Sequence, residues 1–544
     1  MRKLASMLVI CLLFGMTVFA QTRTVSGVIK NDKGESVPFA TVTEMGTQNA
    51  VKADANGNFK ISIKEKGQLS VSATGFTGKV VPVAGNNTTV ILATSEGQMQ
   101  EVVVTALGIQ KQPRQLGYSV AKVSGKDITT AKAVNIQNGL TGKVSGLNIS
   151  TVNNGVFADT RITLRGIRSL TGNNQPLLVI DGVPVALGFL NRLNPNDVDD
   201  ISILKGASAA SLYGPDGVNG VILVKTKRGT KSGNPVINIS NSTQFEQIAF
   251  LPEFQTQFGQ GSAIDANGIG VFDPVENQQY GDEFDGSIRE LGRPNAKGEI
   301  QKIPYSALPG EKMKYFETGI TSQSDISMSA KDFYLSFQDA TISGTLAGDK
   351  NRRTTFSFKS AKEFGKFNAD FTITYTKSQY DVASNGAYYE VFNTAQNIPL
   401  TRYKNWRTDE WSTPNDYFND YASNPYYILD RARSTGTTHD LIGTSTLNYK
   451  ILPWLTATYR LGTTVGSSYS RSTSEAFTYS PFAKTSGKYN SVNDVFASVS
   501  DGQSIGTRIT SEAFLAGQKD FGKISVDGLI GQSYRETFSK SVSV

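Results

Sequence analysis

Few side chains in this chain could do covalent chemistry, and they are poorly spaced for it. There is one histidine, His439, and one cysteine, Cys11. A zinc centre of the usual His-rich kind needs several N or S ligands on one ion, and a Ser-His-Asp triad needs its imidazole held between two partners. His439 stands alone in a predicted loop, so neither arrangement is supported. Carboxylates are the next resource. Asp282, Glu283 and Asp285 crowd into Gly281-Asp-Glu-Phe-Asp-Gly286, and Asp199-Asp200 adjoin further upstream. A glycosidase requires only two such groups and calcium takes oxygen ligands. The first cluster is therefore a weak calcium candidate, although its spacing matches no known calcium loop, and a solvated turn is its default reading.

Phosphate binding fails on spacing. Gly139-Leu-Thr-Gly-Lys143 has too few residues between its glycines for a P-loop and reads as a helix end. The formal charge of +7 and the pI near 9.0 come from Lys and Arg scattered through strands and turns. No basic stripe or helix-turn-helix pattern accompanies them, so nucleic acid is not an expected partner. Ligand binding is better provided for. Tyr388, Tyr389, Tyr403, Trp406, Trp411, Tyr417, Tyr421, Tyr426 and Tyr427 fall in one predicted loop, and flat rings with a polar edge suit sugars or peptides. Tyr403, Trp406, Trp411 and Tyr417 are the candidate contacts; a packed mini-core would use the same residues.

The elements that must position these groups begin after an export signal. Arg2 and Lys3 precede an apolar stretch from about Leu8 to Phe19, and Val18-Phe19-Ala20 ends in a small residue, so residues 1–20 read as a signal peptide. Cys11 lies within it and lacks the setting of a lipoprotein cysteine. From Thr22 the chain reads as short alternating strands: Val25–Ile29, Phe39–Val42, Phe59–Ile63, Leu69–Ala73 and Thr89–Leu92. Asp32-Lys-Gly34 and Asn56-Gly57 supply the positive φ that tight hairpins require. Together they predict a small β-sandwich over 21–96. Glu101-Val-Val-Val-Thr-Ala-Leu-Gly108 then stands alone as an extended apolar run, a place where a partner protein could add a strand.

Beyond it the pattern becomes mixed helix and strand. Pro176–Val185 and Gly220–Val224 are continuous rather than alternating apolar runs, which predicts strands buried on both faces. The Ala-rich stretch Ala207–Tyr213 reads as a short helix, and Lys225-Thr-Lys-Arg228 as a connection to the next region of the chain. From Asn234 the period changes to two. In Phe367–Tyr375 the residues Phe367, Ala369, Phe371, Ile373 and Tyr375 share one face, while Asn368, Asp370, Thr372 and Thr374 share the other. Leu455–Leu461 and Ile524–Ile530 repeat the alternation. Short turns at 363–366, 451–454 and 520–523 contrast with long connections near 377–438 and 463–508. Alternation of this kind, with short turns on one side and long loops on the other, is the signature of a transmembrane β-barrel. The fold expectation is mainly β: a small sandwich, a mixed α/β domain, and the first strands of an incomplete antiparallel barrel. Some nine strands cannot enclose the preceding domain, since plugged barrels have about 22. The expectation is therefore the N-terminal half of a longer protein, and the ending Ser541-Val-Ser-Val544, without a terminal aromatic strand, agrees.

Taken together these parts resemble the SusC/RagA class of TonB-dependent outer-membrane transporters, over everything after the signal. Residues 21–96 look like its carboxypeptidase-regulatory-like domain. Residues 99–108 look like its TonB box, carried by Glu101, Val102, Val103, Val104, Thr105 and Ala106. Residues 109–230 look like the plug domain and 234–544 like the first part of the barrel. The plug signatures are Leu164-Arg165-Gly166, Val179–Pro184 with Asp181 and Gly182, Ile203–Gly214 with Lys205, Gly206, Tyr213 and Gly214, and Asn219-Gly220. One departure is Gly214-Pro-Asp-Gly-Val-Asn219, where relatives usually carry a Ser-Arg-Ala-Ala-like stretch.

The resemblance implies active import of a large nutrient, a glycan or peptide, across the outer membrane. TonB and its inner-membrane energising complex would drive it, and a SusD-like surface lipoprotein would act as a lid that the aromatic loop could also contact. The N-terminal domain would lie in the periplasm and the barrel would face outer-membrane lipid. No catalytic residue and no cofactor is implied beyond the calcium candidate. A siderophore or cobalamin receptor is the alternative within the same machinery, though such receptors usually lack the N-terminal sandwich. A non-transporting surface scaffold is the other alternative.

Overall fold

The computed structural model describes residues 22–93, 103–104, 110–111 and 120–544, apart from 33, 48, 65–66, 75, 84, 131–134, 152–154, 158–159, 207–212, 231–233, 262, 269, 274–278, 487–492 and 523. The signal peptide and most of 94–119 thus lie outside the described residues. The chain divides into two compact units, Met1–Val102 and Val103–Val544.

In the first unit, strand Thr22–Asn31 pairs antiparallel with Asn58–Lys64 and parallel with Asn87–Leu92. A second sheet of four strands runs in the order Ala50–Lys52, Thr41–Glu44, Gln68–Ser72, Lys79–Pro82. Strict alternation in Asn58–Lys64 buries Phe59, Ile61 and Ile63 and leaves their neighbours exposed. These residues join Val25, Ile29, Val42, Leu69, Val71, Val90 and Leu92 in one core. Two of the seven strands, Ala50–Lys52 and Lys79–Pro82, are not evident from sequence. Both are sheet edges with few buried positions, so their alternation is weak. Gly34 and Gly57 take φ of +85° and +77°, as their turns require. Glu44 is buried, yet its Oε1 accepts from the Lys64 amide at 3.0 Å and its Oε2 from Asn49 Nδ2 at 3.1 Å. Those bonds hold its pKa below the ordinary carboxylate value.

The second unit contains an inner domain and a wall. The inner domain is a five-stranded sheet ordered Val120–Ser124, Val198–Leu204, Val221–Thr226, Leu177–Ile180, Val183–Val185. The continuous apolar runs are buried on both faces as expected, and they pack with Ile128, Ile136 and Leu140 from helices Gly125–Thr129 and Ile136–Leu140. Gly139-Leu-Thr-Gly-Lys143 closes the second helix. A separate hairpin joins Leu147–Thr151 to Thr160–Leu164.

The wall is one nine-stranded antiparallel sheet in sequential order. Its strands are Val236–Glu246, Gly319–Ala330, Phe333–Ser343, Lys350–Phe364, Phe367–Ala383, Ala432–Leu452, Leu455–Ser474, Ser498–Phe521 and Ile524–Ser543. Alternation sorts side chains by face: Thr321, Gln323, Thr374, Thr376 and Glu512 are buried, while Ile320, Phe356, Phe371, Tyr375, Leu461 and Leu515 are exposed. Polar residues face the inner domain and apolar residues face out, the arrangement a lipid-facing barrel wall needs. Among the described residues no helix is long and apolar enough to cross a membrane. The long connections are shorter than the sequence suggests, 384–431 and 475–497, because polar strand ends continue the ladder; Ala383 still pairs with Arg433, and Ser474 with Ser498. His439 is corrected with them. It lies in strand Ala432–Leu452, paired with Lys377 and Ser467, and its Nδ1 is 2.7 Å from the Tyr375 hydroxyl.

Candidate functional site

The inner domain's signature residues converge on tight turns. Ile180 and Val183 are paired, so Asp181 and Gly182 form a two-residue hairpin loop with φ of 47° and 88°, the geometry of a type I′ turn. The Asp181 carboxylate accepts from the Thr226 amide at 3.0 Å and from its hydroxyl, tying this turn to the end of the neighbouring strand. Leu164 is buried, and Arg165 and Gly166 both take positive φ. A Cβ at Gly220 would fall 2.3 Å from Leu164 Cδ2, and one at Gly206 would fall 2.7 Å from an Arg165 guanidinium nitrogen. The turns after Leu164, Lys205 and Asn219 therefore meet, and glycine is needed where they do. Asn219 Nδ2 donates to Asn173 O at 2.7 Å, and Arg168 to Val218 O at 2.8 Å, closing the group. Tyr213 packs beside Val179 and Leu204. In the departing segment, Gly214–Gly217 forms a 3-10 turn whose Asp216 pairs with Arg535 of the last wall strand. The Ala-rich residues 207–212 lie outside the described residues.

This domain is held to the wall by polar contacts. Tyr334 and Ser336 donate their hydroxyls to the two oxygens of Asp197 at 2.9 and 2.8 Å, all three residues being buried. Gln338 donates to Asn194 at 2.8 Å, and Arg353 to Asn135 at 3.1 Å and to Asn191 O at 2.7 Å. Two ion pairs add to these, Arg192 with Asp440 and Arg228 with Asp370 at 2.9 Å; Arg460, paired within the wall with Glu512 at 3.0 Å, also donates to Gly182 O. Such contacts carry less net energy than apolar burial, but removing one partner strands a buried charge or donor. The interface is specific in register and polar in content. Its residues Asp197, Tyr334, Ser336, Gln338 and Arg353 do not stand out in the sequence; their inward parity within alternating strands is the available signal.

At the strand ends the long connections build their own cores, and these revise two sequence expectations. Tyr403, Trp406 and Tyr417 are buried rather than presented to a ligand. Tyr403 hydrogen bonds with Gln301 at 2.8 Å and packs with Tyr417 and Phe418, and Trp406 Nε1 donates to Asp430 at 2.8 Å. Trp411 is partly buried against the same cluster. The rings form a mini-core, and Tyr403 and Trp406 bury their apolar bodies with the polar edge bonded. In the calcium candidate, Asp282 and Asp285 clamp Arg289 at 2.8 and 2.9 Å, while Glu283 accepts from Gln257 at 3.1 Å. A guanidinium already takes the place a cation would need. Hydrogen bonds from Ser287 and Arg289 hold the Asp285 pKa well below its ordinary value, and no group of metal-ligating side chains forms among the described residues.

Residues 112–221 match the TonB-dependent Receptor Plug Domain, and residues 25–104 match the CarboxypepD_reg-like domain. Over 91% of its length the chain is 26% identical to the TonB-dependent receptor SusC of Bacteroides thetaiotaomicron, of which it covers 49%. The two domain matches and the likeness to SusC support a TonB-dependent receptor of the SusC/RagA type. TonB-dependent receptor P26 of Formosa agariphila is 33% identical over 43% of the chain and 24% of that receptor. The solved RagAB peptide importer in its 'open-open' state superposes with a TM-score of 0.58 at 17% identity, covering 81% of this chain and 50% of that one, a likeness of fold. The chain thus spans about half the length of SusC and of the RagAB chain. These relatives are receptors rather than enzymes. In SusC/RagA terms the inner domain is the plug and the sheet is part of an outer-membrane β-barrel.

Of the expected TonB box, Glu101, Val102, Thr105 and Ala106 lie outside the described residues. Val103 and Val104 are extended, paired with Lys111 and Gln110. The match to the regulatory domain runs through these two valines, to residue 104.

Proposed function

We propose that the full-length receptor actively imports a large nutrient, a glycan or a peptide, across the outer membrane. TonB, driven by its inner-membrane complex, would pair with the apolar run at 101–106, in the periplasm with the N-terminal domain, and pull on the plug. A SusD-like surface lipoprotein would close over the long connections. The observation that carries this reading is the plug's lodging: a folded domain with its own core, bonded to the polar face of a barrel wall by side chains rather than by a continuous apolar seam. Such an interface can be broken and remade without exposing a hydrophobic core to water. The RagAB neighbour is a peptide importer, and with the SusC relationship it lends weight to a nutrient of this size class.

The test is uptake-coupled growth of cells expressing the full-length receptor, with and without residues 101–106, on oligosaccharides, peptides and iron chelates. Import predicts that one ligand class loses uptake on the deletion while surface expression is unchanged. Uptake of every class at parental rates in the deletion strain would remove TonB coupling through this segment.

A further inference from the structure

On the outward face of the wall the change from apolar to polar falls between two neighbouring rows of residues. Cross-strand pairing aligns Phe356, Tyr375, Leu441 and Val465 in one row, and Thr354, Lys377, His439 and Ser467 in the next, towards the connection 384–431. Along strand Phe367–Ala383 the outward positions Phe367, Phe371, Ile373 and Tyr375 are apolar, and beyond them Lys377, Gln379 and Asp381 are polar. The nine residues from Phe367 to Tyr375 match the roughly 9–11 that a tilted strand needs to cross the hydrocarbon layer. Lys377 and His439 therefore stand at the level of the lipid headgroups, in the leaflet on the side of the long connections.

The charges along this boundary are unevenly matched. Asp339, Asp381 and Asp501, which stand on the same rim, are engaged by Arg352 at 3.1 Å, Arg433 at 2.8 Å and Arg471 at 2.8 Å. Lys377 and His439 have no carboxylate partner among the described residues. They are direct cross-strand partners on one face, where Cβ atoms lie about 4.5–5.5 Å apart and like charges repel. The imidazole is also held in place: its Nδ1 is 2.7 Å from the Tyr375 hydroxyl, and the two rings stack at 28°. When that hydroxyl donates to Nδ1, the ring proton resides on Nε2, the nitrogen left without a partner. An ammonium and an N–H side by side suit an anion with several acceptor oxygens. The apolar row next to them suits acyl chains, so one molecule that carries both fits the pair best.

We propose that Lys377 and His439 bind the phosphate of a membrane lipid headgroup, with the lipid's chains lying along the row of Phe356, Tyr375 and Leu441. The site rests on the wall facing lipid and is independent of what the receptor imports. The experiment is native mass spectrometry of the purified full-length receptor in a nonionic detergent, equilibrated with dioleoylphosphatidic acid or with dioleoylglycerol. These two lipids differ by the phosphate alone. Phosphatidic acid is expected to be retained about tenfold more than diacylglycerol, on the scale of a charge-assisted hydrogen bond. Lys377→Gln and His439→Phe, which keeps a ring against Tyr375 but lacks the N–H, should each remove most of that preference and leave diacylglycerol retention unchanged. Lys60→Gln, the same charge change in the first unit, should retain both lipids as the parent does. Equal retention of the two lipids by the parent would overturn the proposal. So would parental retention of phosphatidic acid in both wall variants, or an equal loss in Lys60→Gln. Displacement of the lipid by an equimolar amount of inorganic phosphate would overturn it as well, by showing a plain anion site.

Discussion

Lys312 shows how one side chain's setting becomes measurable. It lies in the 247–318 connection between the first two wall strands, with Nζ donating to Phe392 O at 3.1 Å and sitting 3.8 Å from the Phe254 ring centroid. Burial pushes its pKa down to about 8 from the ordinary 10.5. The folded state therefore holds this proton less tightly than the unfolded chain. Below pH 8 the cost of burying the ammonium is present in full; between about 8 and 10.5 the unfolded state binds more protons, so this group makes stability rise with pH. Thermal unfolding of the full-length receptor from pH 7 to 10.5 should show that rise, and Lys312→Met should flatten it. Parallel profiles for parent and variant would mean the ammonium is better solvated than its surroundings indicate. At this scale residue types are legible in the sequence but their partners are not. The crowding of Asp282, Glu283 and Asp285 is visible, yet the clamp depends on Arg289 folding back from the adjacent ribbon. The aromatic types of Tyr403, Trp406 and Tyr417 are visible too, but burial depends on Gln301, Phe418 and Asp430 from distant segments.

Strand type is legible wherever one face is apolar, and strand ends are not. In Phe367–Ala383 the alternating Phe, Ile and Tyr positions reveal the outward face, whereas Ala432-Arg-Ser-Thr-Gly-Thr-Thr-His439 offers no apolar period and reads as loop. Its backbone nevertheless continues the ladder, because hydrogen bonding along a sheet does not depend on apolar side chains. The same separation of backbone from pattern explains Gly462 in strand Leu455–Ser474. A Cβ there would fall 2.2 Å from Val183 Cγ1, so the wall admits the plug's 180–183 hairpin only through a missing side chain. Gly462→Val is expected to unseat that hairpin and make cells expressing the full-length receptor sensitive to vancomycin. Gly443→Val, where a Cβ meets nothing within 4 Å, should not. Equal resistance in both strains, at equal expression, would show that the plug tolerates the displacement.

For the whole molecule the distribution of plug–wall bonds suggests where force would act. The plug groups bonded to the wall, among the described residues, come after residue 130: they include Asn135, the Val156 and Gly182 carbonyls, Asn191, Arg192, Asn194, Asp197, Asp216 and Arg228. Strand Val120–Ser124 precedes them, lies at the edge of the plug sheet, and has a single neighbour, with which it makes five residue pairs. A pull on residues 101–106 reaches this strand first, and its ladder can open while the anchored remainder stays in place. Paired cysteines separate the two behaviours, since Cys11 is the only cysteine in the 544 residues. Lys122 and Ser202 are direct partners across the edge ladder. At Gly462, a Cβ would lie 3.0 Å from Val183 Cβ, inside the roughly 3.5–4.5 Å of a disulfide, so the bridge forms once the Val183 methyls are gone and the hairpin eases outward by about half an ångström. Oxidation of Lys122→Cys/Ser202→Cys is expected to block uptake reversibly, with reductant restoring it. Oxidation of Val183→Cys/Gly462→Cys should leave uptake at the parental rate. The reverse outcome would place the moving boundary between plug and wall, and would require the whole plug to leave the barrel in each cycle.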